Sequence, residues 1–134
     1  MQATTVTLAV DAENDGGTLT NEVYSKYEEY QNRSLYIGAD HALDARNTIG
    51  LYRTFPTRSG NFKGTAKSSV KFTQDFNVAG VDSSTTITAP VIVEVSFSVP
   101  VGVAQADLVH MRQRAIALLD SDSVMNSLNL QLMI

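Results

Sequence analysis

Lys63, Lys67 and Lys71 stand four residues apart in "FKGTAKSSVKFTQDF", residues 62–76, and alternate with Thr65, Ser69 and Thr73. Ammonium groups interleaved with hydroxyls suit a polyanion, because lysines neutralise phosphates while hydroxyls bond sugars and bases. The other parity of the same stretch carries Phe62, Ala66, Val70, Phe72 and Phe76. Successive strand side chains point to opposite faces, so the pattern predicts a long strand with one face on a core and the other presenting cations.

Other chemistries find less support. "ADHALDA" brings Asp40, His41 and Asp44 together. One histidine with two loop carboxylates is a thin set for a metal or for acid–base work. His110, the other histidine, has no second histidine one helical turn away. There is no phosphate-binding glycine loop, no nucleophile elbow and no cysteine for a thiolate zinc site or a nucleophile. The expectation is a protein that is not an enzyme and uses no cofactor and no metal. An enzyme built on Asp40, His41 and Asp44 is kept as a rival.

Charge sharpens the first reading. The 134 residues hold 10 Lys and Arg against 14 Asp and Glu. Yet Arg46, Arg53, Arg58, Lys63, Lys67 and Lys71 all fall between Ala45 and Gln74, where there is no acid. Such asymmetry in a chain of single-domain length points to one basic surface on an otherwise acidic protein. No apolar run approaches the roughly 20 residues of a spanning helix, and the first residues lack a basic leader, so neither membrane nor export is expected.

The elements that must position these groups follow from periodicity. "TTVTLAV" (4–10) alternates Val6, Leu8 and Val10 with threonines and runs into "DAENDGG", a strand and a turn. A second strand is predicted from near Thr18 through Tyr24, and "RSLYIG" (33–38) is a short third. "RNTIGLYRTF" (46–55) sets Ile49, Leu51 and Phe55 against Arg46, Thr48, Tyr52 and Thr54. Tyr52 there is a good β-former and also an aromatic platform on the basic parity, able to stack a base. The segment 79–88 reads as a loop. "PVIVEVSFSVP" (90–100) is the strongest strand, with Val91, Val93, Val95, Phe97 and Val99 on one face and Ile92, Glu94, Ser96 and Ser98 on the other; its prolines sit at the ends. Glu94 repels phosphate unless it accepts from a base amino group or balances a lysine.

The period then changes to 3 and 4. Ala104, Leu108, Met111, Ala115, Leu118 and Leu119 form one stripe of an amphipathic helix, with Gly102 as a plausible cap. "DSDS" (120–123) breaks it and offers Ser121 or Asp122 to cap a second helix with Val124 and Leu128 inward; the apolar end "LNLQLMI" should be packed. The predicted class is α+β, an antiparallel meander sheet with an N-terminal β-hairpin and two C-terminal helices on one face, as one domain over 1–134. Two helices cover only part of such a sheet, which predicts a homodimer.

This order of parts resembles the coat proteins of the small single-stranded RNA bacteriophages over essentially the whole chain: the hairpin, strands with a basic Ser/Thr/Lys face, a loop, a strand ending "SFSVPVG" and two helices. The resemblance implies an interlocked dimer through Leu108, Met111, Ala115, Leu118, Leu119, Val124 and Leu128. It also implies an icosahedral shell assembled in the bacterial cytoplasm, and genomic RNA on the inner sheet face, where a bound hairpin represses translation. "SSVKFT" matches the family strand with Ser or Thr two before a Lys, giving Ser69, Lys71 and Thr73. Thr48 and Tyr52 fall on the same face of the preceding strand, and Arg46, Lys63, Lys67, Glu94 and Ser96 complete the expected RNA set. Ile92 stands where familiar members carry a base-stacking Tyr, and Glu94 where they carry an Asn. The loop 79–88 corresponds to the one around the shell's symmetry axes. A dimeric sheet that binds RNA without building a shell is the alternative.

Overall fold

The computed structural model describes residues 3–132, with side chains through Leu128. Six strands, β1 Thr5–Val10, β2 Thr20–Tyr30, β3 Arg33–Gly38, β4 Asn47–Thr54, β5 Thr65–Ala79 and β6 Thr86–Pro100, precede two helices, α1 Gln105–Leu119 and α2 Asp122–Leu132. The strands lie side by side in chain order, β1 through β6, as one sheet. The meander and the two C-terminal helices are those expected from the periodicity.

Contacts divide the chain into two units. The first holds the chain up to Pro56 together with Ala66–Ser98; the second holds Thr57–Thr65 and the chain from Val99.

In the first unit, antiparallel pairing puts directly opposed residues on the same face. Tyr24 pairs with Val6 and Gly38. Tyr36 pairs with Ile49, Ile49 with Phe72 and Leu51 with Val70. These residues share the apolar face. Tyr24, Tyr36 and Ile49 are buried, and Val6, Leu8, Leu51, Val70 and Phe72 pack against them. Tyr36 is 0% exposed, and its hydroxyl donates to the Ala3 carbonyl at 2.7 Å, which satisfies its one polar atom. Burial pushes the Tyr24 phenol up, helped by the Glu22 charge.

Strand β2 runs farther than alternation suggested. It continues to Tyr30 because the register slips between Lys26 and Glu28, a bulge that leaves Tyr27 out of the ladder. Strand β5 begins at Thr65 rather than Phe62, and so excludes Lys63. Gly64 takes a φ of +96°, and a Cβ there would stand 2.5 Å from the Thr57 carbonyl oxygen. That left-handed, sterically closed position ends the extended run. At its other end β5 reaches Ala79 and β6 starts at Thr86, which reduces the connecting loop from 79–88 to 80–85. Pro90 therefore lies inside β6 instead of at its start. An outermost strand accommodates it, since only one side of the strand needs donors.

In the second unit, the N-cap of α1 is Ala104 rather than Gly102, which takes a φ of +110° in the turn before it. Asp107 lies in the first turn, where the helix dipole favours an acid. The Ser121 carbonyl accepts from the Val124 and Met125 N–H groups and so opens α2. No residue of α1 is buried. Met111, Leu118, Leu119, Val124 and Leu128 are all exposed, whereas Leu108 and Ala115 are half-buried. The tail residues 129–134, expected to be packed, lie outside the residues whose side chains are described.

Candidate nucleic-acid interface

The polar face of the sheet is laid out by the same register. Strand β4 contributes Thr48, Gly50, Tyr52 and Thr54; opposite them on β5 stand Thr73, Lys71, Ser69 and Lys67. On the other side of β4, Arg33 pairs with Tyr52, Leu35 with Gly50 and Ile37 with Thr48. Tyr30 of β2 pairs with Arg33. One transverse row thus reads Tyr30, Arg33, Tyr52, Ser69. The row beside it reads Glu28, Leu35, Gly50, Lys71.

Thr48, Tyr52, Lys67, Ser69, Lys71 and Thr73 are therefore brought together on one face. Ser96 of β6 lines an open groove of about 400 Å³ with Tyr52, Thr54, Lys67 and Ser69, to which Arg53, Ser68 and Phe97 also contribute. Glu94 is exposed on β6, two residues from Ser96. Lys63 lies between the Ser59–Phe62 bridge and the start of β5 at Thr65, and so does not follow the strand's alternation.

Charge on this face is less than the sequence count suggests. Arg46 donates to both carboxylate oxygens of Asp75, Nε to Oδ2 and Nη2 to Oδ1, each at 3.0 Å. Hydrogen bonding from the guanidinium, joined by the Arg46 backbone N–H, holds the Asp75 carboxyl below its usual range, and the same bond raises Arg46. Arg33 bonds Glu28 at 3.0 Å. Arg53 is on the opposite parity, where it donates to the Gln31 carbonyl and lies 5.8 Å from the Phe55 ring. Among the described residues Lys67 and Lys71 make no ion pair, so they supply the net positive charge of the face.

Three members of this surface escaped the sequence reading. Gly50 is one, although a glycine inside a strand signals close approach of another group. The edge of the Tyr52 ring lies against it: a Cβ on Gly50 would stand 2.7 Å from both Cε2 and Oη of that ring. Arg33 and Tyr30 are the others: the bulge in β2 sets the parity of Tyr30, and Arg33, at the start of β3, takes its face from its pairing with Tyr52.

The loop that holds the two carboxylates and His41 is occupied with folding. Asn47 donates its side-chain amide to Asp40 at 2.6 Å and its backbone N–H to His41 Nδ1 at 3.1 Å, which fixes the start of β4. Asp44 is exposed. Among the described residues no three His, Cys, Asp or Glu side chains are grouped to hold a metal ion.

No protein-family model matches the chain, and no curated protein matches it. Solved structures do. The chain is similar to the virus-like particle of bacteriophage AVE019 at a TM-score of 0.75 and 18% identity, over 96% of this chain and 95% of that one. It is similar to the virus-like particle of Beihai levi-like virus 32 at 0.69 and 20%, over 79% and 82%. The bacteriophage EMS014 coat protein matches at 0.60 and 15%, over 89% and 74%. The fold, a six-stranded antiparallel meander followed by two helices, is that of levi-like phage coat subunits.

Proposed function

We propose that this chain is the coat subunit of a levi-like single-stranded RNA phage. It pairs through α1 and α2, assembles into a closed icosahedral shell in the bacterial cytoplasm and becomes part of the virion. The observation that carries this reading is the near full-length likeness to a particle subunit, 96% of this chain on 95% of the other.

Dimerisation is supported by α1, which buries none of its residues within its own chain despite the stripe Leu108, Met111, Ala115, Leu118 and Leu119. A second copy is the natural cover for that stripe and for Val124 and Leu128. RNA binding is supported by Lys67 and Lys71, unpaired and on one face with Thr48, Tyr52, Ser69 and Thr73. Ser96 lines the same groove. Arg46 contributes position more than charge, Lys63 adds a cation outside the strand, and Glu94 restricts which groups fit beside the lysines. A few phosphate contacts per subunit suffice when many copies act together. Repression of translation through an RNA hairpin on this face follows from the same reading.

Electron microscopy of purified recombinant protein tests the proposal. Uniform closed particles that contain nucleic acid are expected. A small dimer at every concentration that still binds RNA would establish the non-assembling RNA-binding module instead.

A further inference from the structure

We propose that the outer edge of β1 joins the same edge of a second copy, antiparallel, with Thr7 opposite Thr7 of that copy. The contact goes beyond pairing through α1 and α2, and it asks nothing of the polar face. Strand β1 is outermost in the sheet, with β2 as its neighbour. The Lys26 N–H donates to the Thr4 carbonyl at 2.8 Å, which makes Thr4 and Lys26 a bonded pair. Opposed residues of an antiparallel ladder alternate between bonded and non-bonded pairs. The register carries that alternation onward without a slip, so Val6, Leu8 and Val10 direct their backbone groups to Tyr24, Glu22 and Thr20. Thr5, Thr7 and Ala9 therefore turn N–H and C=O away from β2, and all three are exposed. Among the described residues nothing bonds those outward groups.

Such an edge is a template for another strand unless charge, proline or a bulge blunts it. None does here. From Ala3 to Val10 there is no charged residue and no proline, and the β1–β2 ladder runs unbroken. The occupant is a second copy because the strand is complementary to itself. Antiparallel pairing about Thr7 sets Thr5 against Ala9 of the copy and Thr7 against Thr7, so every outward residue exchanges its N–H···O bonds. No like charges meet, and the hydroxyl side of one strand continues the hydroxyl side of the other. On the opposite side Val6 meets Leu8 of the copy, which extends the apolar face that Val6 and Leu8 form with Tyr24. A shift of one residue would oppose threonines to aliphatics, so the register is specified as well as the partner.

The chain has no cysteine, so a single introduced thiol reports one contact. In purified full chain under copper–phenanthroline oxidation, Thr7→Cys should give a covalent pair, because directly opposed bonded residues stand about 5.5 Å apart at Cα, inside the disulfide range. Thr5→Cys alone should not, since its counterpart would lie about 14 Å away along the strand. Thr5→Cys mixed with Ala9→Cys should link the two variants to each other. Thr7→Pro removes an outward N–H and no bond to β2; added to both, it should abolish that linkage and leave the circular dichroism spectrum unchanged. Equal linkage at Thr5→Cys and Thr7→Cys would overturn the register and reduce the contact to random collision. If Thr7→Cys stays unlinked, the edge pairing is overturned, and particles in the same preparation would show the shell standing without it. Linkage of Thr7→Cys without particles would keep the edge pairing and remove the shell.

Discussion

Arg46 and Asp75 are joined by four hydrogen bonds. The Asp75 carboxylate takes the Arg46 backbone N–H at 2.9 Å and two guanidinium contacts at 3.0 Å, while the Asp75 N–H donates to the Arg46 carbonyl at 2.9 Å. The pair closes the ladder just beyond Asn47–Gln74, at the open end of the β4–β5 ribbon. It removes one cation from the polar face and gives the ribbon a fixed end.

Asp75→Asn should lower stability at neutral pH and spare RNA affinity more than either lysine change. The sign follows from the carboxyl's depressed pKa. Its contribution is whole above the ordinary carboxylate value of about 3.9 and is lost as pH falls through the lower value of the folded protein. Urea midpoints of wild type and variant should therefore converge in acid. A gap that persists or widens below that range would assign the effect to another group.

Lys67→Ala with Lys71→Ala should weaken RNA binding across sequences and reduce the slope of log K against log salt by about 0.7 per lysine for single strands. Arg112→Ala with Arg114→Ala on α1 is the control and should leave the slope unchanged. The reverse outcome would turn the sheet to the outside of the shell.

Leu118→Asp should give insoluble or unfolded chain if, as proposed, a second copy covers the stripe in which it puts a carboxylate. Sedimentation of the soluble fraction reads the result. A folded, soluble monomer would remove the case for pairing through the helices.

Tyr36→Phe should cost about 1 kcal/mol by losing the bond to the Ala3 carbonyl, and Tyr36→Ala about 3–5 kcal/mol by opening a cavity at the most buried large side chain among the described residues. Chemical denaturation measures both. Equal losses would place the value of Tyr36 in its hydroxyl rather than in its ring.

Shortening the loop 80–85 should leave folded dimers with altered or missing particles, because its residues are small, polar except for Gly80 and Val81, and nearly all exposed. Asp82 organises the loop by accepting from the Thr85 N–H and hydroxyl, each at 3.0 Å, and those bonds hold its carboxyl low. Light scattering during assembly, with circular dichroism alongside, separates the two effects; loss of the dimer would make the loop a folding element.

Period-2 alternation on β4, β5 and β6 was legible because one face of each is apolar and the other is not, and the β4–β5 register sets Thr48, Tyr52, Lys67, Ser69, Lys71 and Thr73 on one surface. Lys63 was extrapolated past Gly64, where φ and the Thr57 backbone break the pattern that alternation alone continues. Arg46 and Asp75 are twenty-nine residues apart, and no local spacing announces a bond formed only by strand pairing. The dipeptide Gly50–Leu51 held a visible cue in its glycine, but the side chain that meets it, Tyr52, is set by packing that no spacing announces.

The bulge in β2 has a consequence for how such a gene can vary. Lys26 faces Tyr36 and Glu28 faces Leu35, so Tyr27 is the one residue of the strand with no partner across the ladder. A codon lost or gained elsewhere in β2 would invert every side chain beyond it and send Tyr30 to the apolar side. Removal of Tyr27 alone would leave Glu28, Glu29 and Tyr30 opposite Leu35, Ser34 and Arg33 as before. The bulge is the position where a lineage can change strand length by one codon and keep both faces of the sheet in their reading.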